Sequence, residues 1–209
     1  MDKGNWPGHT YTEADWNPVT YEAAKGADGS TAYCASKTFA EKAAFDFVEK
    51  QHPNFSIATI CPPMVYGPPV HAVSSLDHLN TSSADIYRLM NGSEKEVPTT
   101  AFWAFADVRD VAKAHRLAYE SPAAADQRYF ITSGNYSYQM VCDVIRKNFP
   151  EVKDRTPAGK PGSGLGADVY KVSNEKAKKE LGMTFKSLDE TIVDTARRLL
   201  ELERETGKA

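Results

Sequence analysis

Apolar and polar positions along the chain fall into two rhythms. In 31-TAYCASKTFAEKAAFDFVEK-50 apolar residues recur at helical spacing, which predicts a long helix. Ile57 to Cys61 is a short β-rich apolar run, closed by Pro62-Pro63 and a Gly67-Pro68 turn. A second helix is expected over 76–91. The stretch 102-FWAFADVRDVAKAHRLAYES-121 starts as a strand and becomes a helix with Val111, Ala114, Leu117 and Ala118 on one face. Asp107 is placed to cap that helix, with Asp110 in its first turn. RYFITS (128–133) predicts a buried strand, 137–148 a helix ending in Asn-Phe-Pro, and 174–181 and 188–205 two closing helices. Residues 1–29, with a helical turn near Thr12–Trp16, and 150–168, rich in Pro, Gly and Lys, are expected as loops. Strands alternating with helices make the fold class α/β.

Composition narrows the function. The 209 residues carry a net charge of −3, which offers no basic footprint for nucleic acid or an anionic membrane. No apolar run nears the roughly 20 residues of a membrane span. The first 18 residues have no apolar core of the secretory kind. Cys34, Cys61 and Cys142 are odd in number and scattered, which points to free thiols in a reducing, cytoplasmic compartment. The five histidines have no metal-ligand spacing, so no metal site is expected.

Tyr33 and Lys37 share a narrow arc of the first helix with Ala40 and Ala44, so Lys37 is expected to leave from a mainly apolar side. Such a pair suits proton transfer to a carbonyl oxygen. A phenol of pKa about 10 is a poor acid at neutral pH, and an ammonium one turn away favours its ionised form. The alternative is a chance spacing in which Lys37 snorkels to water.

Several stretches decide between these. TAYCASKTFAEKAA resembles the active-site helix of the extended short-chain dehydrogenase/reductases, the NAD-dependent epimerase/dehydratase-like family. The resemblance is greatest to dihydroflavonol reductase, cinnamoyl-CoA reductase and aldehyde or methylglyoxal-type carbonyl reductases. TYTEADWNP (10–18), CPPMVYGPP (61–69), LDHLNTS (76–82), FADVRDVAKAHRLAYESP (105–122), RYFITSG (128–134) and YKVSNEKAKKELGMTF (170–185) follow in that family's order. The resemblance implies the C-terminal part of a Rossmann-like doubly wound parallel sheet plus a small α/β substrate-binding region. Its divisions would be a partial nucleotide-binding domain (1–66), a substrate-region segment (67–104), a return to the nucleotide-binding domain (105–134) and a substrate-binding region with C-terminal helices (135–209). It further implies NADP or NAD as cofactor, with NADPH favoured, and a small aldehyde or ketone as substrate. Tyr33 would be the general acid and Lys37 its ribose-binding partner, both of them in contact with the cofactor. Pro62, Pro63 and Val65 would edge the nicotinamide, Ser82 would lie near the cofactor, and Met64 and Tyr66 would face the substrate.

The family's glycine-rich phosphate turn has no counterpart at the start of the chain. The one glycine cluster, 162-GSGLG-166, follows a loop and is expected to be a surface loop. The family's catalytic serine would precede TYTEADWNP. Met1 is accordingly expected to be internal to a longer reductase, with on the order of a hundred residues of the nucleotide-binding unit missing. Phe39, Phe45 and Phe47 are then expected to lack cover, favouring a homo-oligomer or pairing with a full-length relative. The competing expectation is an inactive homologue that acts as an interaction or regulatory fragment.

Overall fold

The computed structural model describes residues 5–207; Met1 lies outside them. The chain runs β1 (Thr10–Tyr11), α1 (Tyr21–Lys25), α2 (Gly29–Gln51), β2 (Ala58–Cys61), β3 (Met64–Tyr66), α3 (Thr81–Tyr87), β4 (Ala104–Asp107) and α4 (Val108–Glu120). It continues with β5 (Gln127–Phe130), β6 (Gly134–Asn135), α5 (Tyr138–Asn148), β7 (Lys171–Val172), α6 (Glu175–Leu181) and α7 (Leu188–Glu205). The fold is α/β with small, mostly parallel sheets. β1 pairs with β7, β2 with β5, and β4 lies between β3 and β6, with only the β4–β6 pairing antiparallel.

Local chemistry sets the helix ends. Asp28 caps α2, its carboxylate accepting from the Ser30 and Thr31 amides at 2.9 and 3.1 Å. α2 stops where His52 turns left-handed at φ 46°, directly before Pro53. Three expectations need correction. The 1–29 stretch holds α1, capped by Thr20, and β1, which pairs with β7; the helical turn near Thr12–Trp16 is a single turn closed by the Asp15 amide on the Thr12 carbonyl. The 76–91 helix is split by extended Leu79 into a 3-10 turn, Leu76–His78, and α3. Pro150–Arg155 is a 3-10 helix rather than loop.

Two apolar clusters hold the molecule. The larger gathers Tyr66, Ile86, Phe105, Tyr136, Ile145, Ile192 and Leu199 from α3, α5, α7 and the β3–β4 sheet. The smaller packs Ala114 and Ala118 of α4 with Tyr129, Ile131, Ala177 and Leu181, and Ile60 of β2 closes it. Each fully buried Leu or Ile contributes about 1.5–3 kcal/mol. α2 has no such anchor, for Ala35 is its one buried residue. Tyr21 of α1 meets Phe39 edge-on at 5.7 Å and covers it in part. Phe39 and Phe45 are half-buried and Phe47 is 51% exposed, so the expected bare face is confined to Phe47 and its neighbours.

β2 lies between two helix layers. Thr59 and Cys61 turn their side chains to Glu41 of α2, whereas Ile60 turns to the α4 cluster, as alternation along a strand requires.

Candidate active site

Tyr33 and Lys37 stand one turn apart near the start of α2, with the Lys37 ammonium 5.5 Å from the centre of the Tyr33 ring. Tyr33 is 62% exposed and Lys37 is exposed as well, so the arc they share faces solvent and not an apolar interior. The opposite side of the helix holds its one buried residue, Ala35, and Glu41, about 40° round from Lys37, is drawn inward at the edge of the arc. Among the described residues the Lys37 ammonium makes no hydrogen bond or ion pair. Ser36 donates to the Tyr33 carbonyl at 2.7 Å, which keeps its hydroxyl against the helix.

The inward side is polar. Arg128 of β5 grips Glu41 with two bonds, Nε to Oε1 at 2.8 Å and Nη2 to Oε2 at 3.1 Å. Thr59 donates to the same carboxylate at 2.5 Å. The guanidinium also donates to the carbonyls of Glu13 and Asp15 and lies 3.5 Å from the ring centre of Trp16. One side chain therefore ties the 13–16 turn, α2 and the sheet together. Burial opposes ionisation of Glu41, but the Arg128 and Thr59 bonds outweigh it and hold the carboxyl below its usual range. Burial and the Glu41 charge push the nearby Cys61 thiol up to about 11, which leaves it inert at neutral pH. Helical periodicity alone sets Glu41 at the rim of the Tyr33–Lys37 arc. The long-range pairing with Arg128 carried no local signal.

Cys61 leads into Pro62 and Pro63 and then β3. Pro62 is exposed, while Pro63, Met64 and Val65 are half-buried. β3 is held parallel to β4 with Val65 opposite Ala106. Gly67 follows with φ 147°, where a Cβ would meet Val108 Cγ1 at 2.5 Å, so the chain can pass the start of α4 only as glycine. Tyr66 is 2% exposed and its hydroxyl is engaged: it donates to Asp85 at 2.6 Å and shares a 2.8 Å bond with Tyr136. Tyr138 donates to Asp85 as well, at 2.8 Å, and Arg88 binds Asp85 and Glu94. Burial first, then Tyr136 and Asp85, push the Tyr66 phenol far up, so it stays protonated. Asp85 sits three positions after Ser82 on α3, on the same face. Ser82 is half-buried, its hydroxyl accepting from Asn80 at 3.0 Å.

The structure thus ties β3, with Met64, Val65 and Tyr66, to α3, with Ser82, through Asp85, and ties β2 to α2 through Glu41. Tyr33 lies eight residues from Glu41, about 12 Å along the helix axis.

The glycine cluster 162–166 opens no helix, and its Gly162 amide already donates to Asp143 at 2.8 Å. Nicotinamide dinucleotides are therefore fitted in part. The free ammonium of Lys37 beside the Tyr33 phenol suits the ribose and carbonyl end, but no described glycine-rich turn suits the pyrophosphate. Among the described residues no group of three His, Cys, Asp or Glu is placed to hold a metal, and no helix is long and apolar enough to cross a membrane.

No family model matches the chain. Individual proteins do. The NADPH-dependent methylglyoxal reductase of Saccharomyces cerevisiae is 39% identical over 210 residues, covering 97% of this chain and 60% of that protein. A ketoreductase of Aspergillus niger is 40% identical over 199 residues, covering 93% of this chain and 58% of its own length. The crystal structure of yeast methylglyoxal/isovaleraldehyde reductase complexed with NADPH superposes with a TM-score of 0.89 at 37% identity, over 96% of this chain and 60% of that one. The chain spans 56–60% of the length of these and the other first relatives that it matches.

Proposed function

The chain belongs to the extended short-chain dehydrogenase/reductases, and from that premise we propose that it carries the acid–base pair and the substrate-facing strand of an NADPH-dependent reductase of small aldehydes or ketones. The observation that carries the reading is the Tyr33–Lys37 pair, solvent-facing with an unpaired ammonium. NADPH, when bound, supplies the hydride. Tyr33 donates its phenolic proton to the carbonyl oxygen as the carbon is reduced. Lys37 stabilises the phenolate left behind and offers its remaining N–H groups to ribose hydroxyls. Water then returns the proton to Tyr33, and the product is the alcohol. Pro62, Pro63 and Val65 line the nicotinamide side, Ser82 stands near the cofactor, and Met64 shapes the substrate side; Tyr66, expected there, is instead buried behind the strand with its hydroxyl bound to Asp85 and Tyr136. Activity requires a phosphate-binding turn beyond the described residues.

Tyr33→Phe tests the acid role. In any form of the protein that reduces a carbonyl, it is expected to lower kcat by about 10²–10⁴-fold and to change NADPH affinity far less. Turnover indifferent to this change would remove Tyr33 from the mechanism. The second reading, a fragment without catalysis, is favoured by the 60% span. NADPH at a hundredfold excess over its Kd stabilises a competent binder by about 2.7 kcal/mol and does nothing for such a fragment.

A further inference from the structure

A polar island lies inside the larger apolar cluster. Asp85 of α3 accepts from Tyr66 of β3 at 2.6 Å, from Tyr138 at the start of α5 at 2.8 and 2.9 Å, and from Arg88 Nε at 3.0 Å. Tyr136, which follows β6, shares a hydrogen bond with Tyr66 and meets the rings of Tyr66 and Tyr138 edge-on at 5.4 and 6.0 Å. Tyr66, Tyr136 and Tyr138 are 2%, 1% and 9% exposed, and the Asp85 side chain 13%. Stability alone gives no reason for the island. Phenylalanine and leucine would fill the same space and leave nothing to pair, and apolar sets of similar volume are often as stable as buried polar ones. What hydrogen bonds add is direction, because they weaken outside a narrow range of length and angle, while apolar contacts let two elements slide. Bonds from β3 and α5 converge on one carboxylate of α3. β3 therefore has a single seat.

We infer that Asp85 is a positioning residue which, through Tyr66, fixes Met64 at one place on the substrate side. Side chains alternate along a strand, so Met64 shares the face of Tyr66. It is half-buried and packs at the edge of the same cluster. A shift of β3 against α3 would lengthen the Tyr66–Asp85 bond and carry Met64 with it. The same shift would change the separation of β3 from Ser82, which precedes Asp85 on α3. The substrate half of the inference rests on the reductase reading; the fixed seat of β3 does not.

The test replaces the whole island, combining Tyr66→Phe, Tyr136→Phe, Tyr138→Phe and Asp85→Leu. No polar group is then stranded, since Arg88 keeps Glu94 at 2.6 Å and is 33% exposed. The chain should still fold, with a urea midpoint within about 0.5 M of the parent. With carbon-13 in the methionine methyl groups, the Met64 signal should be single in the parent and should broaden or double in this variant. The signal of Met183, in the smaller cluster, should stay single in both. A role in stability alone would lower the midpoint and leave the Met64 signal single, and that result overturns the inference. Should the four changes together prevent folding, Tyr66→Phe decides on the same signal: a doubled or broadened Met64 supports the fixed seat, and a single one overturns it. Kinetics read the other half separately. In any form that reduces a carbonyl, loss of the island should raise KM for the carbonyl by about tenfold and hold kcat within about threefold. An unchanged KM beside a doubled Met64 signal would remove Met64 from the substrate side and leave its fixed seat standing.

Discussion

Removal of the Glu41 carboxylate is the sharpest test of how α2 is held. Both partners of the Glu41–Arg128 pair are largely but not fully covered, at 15% and 16% side-chain exposure. Breaking a buried pair costs about 3–5 kcal/mol because the remaining charge is stranded. Here Arg128 keeps the Glu13 and Asp15 carbonyls and the Trp16 ring, so Glu41→Ala is expected to cost about 2–4 kcal/mol. With a urea m-value of about 2 kcal/mol/M, the midpoint should fall by about 1–2 M. Glu41→Gln still accepts from Thr59 and should lose about half as much. Because the carboxyl is held below its unfolded value of about 4.3, the stability it contributes is present above that value and lost as pH falls through the folded one. The deficit of Glu41→Gln should accordingly be full at pH 7 and fade below about pH 4. A deficit under about 0.5 kcal/mol at neutral pH would place the pair among ordinary surface bridges and refute the strut.

Two further outcomes follow from buried groups. Asp107 is fully buried, caps α4 through the Arg109 amide at 2.8 Å, and accepts from the Arg109 side chain and from Thr191 at 2.8 Å; Asp107→Ala should cost about 3–5 kcal/mol in urea unfolding, and a loss below about 1 kcal/mol would show that the cap and pair are dispensable. The Cys61 thiol, raised to about 11, should resist iodoacetamide at pH 8 and react as pH approaches its value, with mass spectrometry of the peptide as the readout; rapid labelling at pH 8 would contradict the burial and the Glu41 charge placed beside it.

The parts of this molecule legible in the sequence are those whose causes are local. α4 shows its face because Ala114 and Ala118 recur at helical spacing, and Asp107 announces its cap. β2 and β5 announce themselves as apolar runs bounded by turns. α2 is legible as a helix, but which side faces inward is not. Its arc of Tyr33, Lys37 and Ala40 looked interior by pattern, yet Glu41 is pulled in by Arg128 across 87 residues of sequence. Asp85 likewise gathers phenols from 19 and 53 residues away, and nothing near it in sequence foretells them. α1, at five residues, is too short for periodicity to register.

The β1–β7 pairing sets a timetable for the nascent chain. Asn5, which accepts from the Tyr170 amide 165 residues on, leaves the ribosome among the first residues described here, but its partner leaves late. At about 5–20 residues per second the wait is on the order of 10–30 s. For that interval Tyr11 lacks the ring of Tyr170 that it meets at 5.0 Å in the folded protein. A ribosome stalled before residue 170 would hold out the Trp6, His9 and Tyr11 rings without the Tyr170 face that Tyr11 packs on in the folded protein, which is the kind of surface that holdase chaperones and quality-control proteases select.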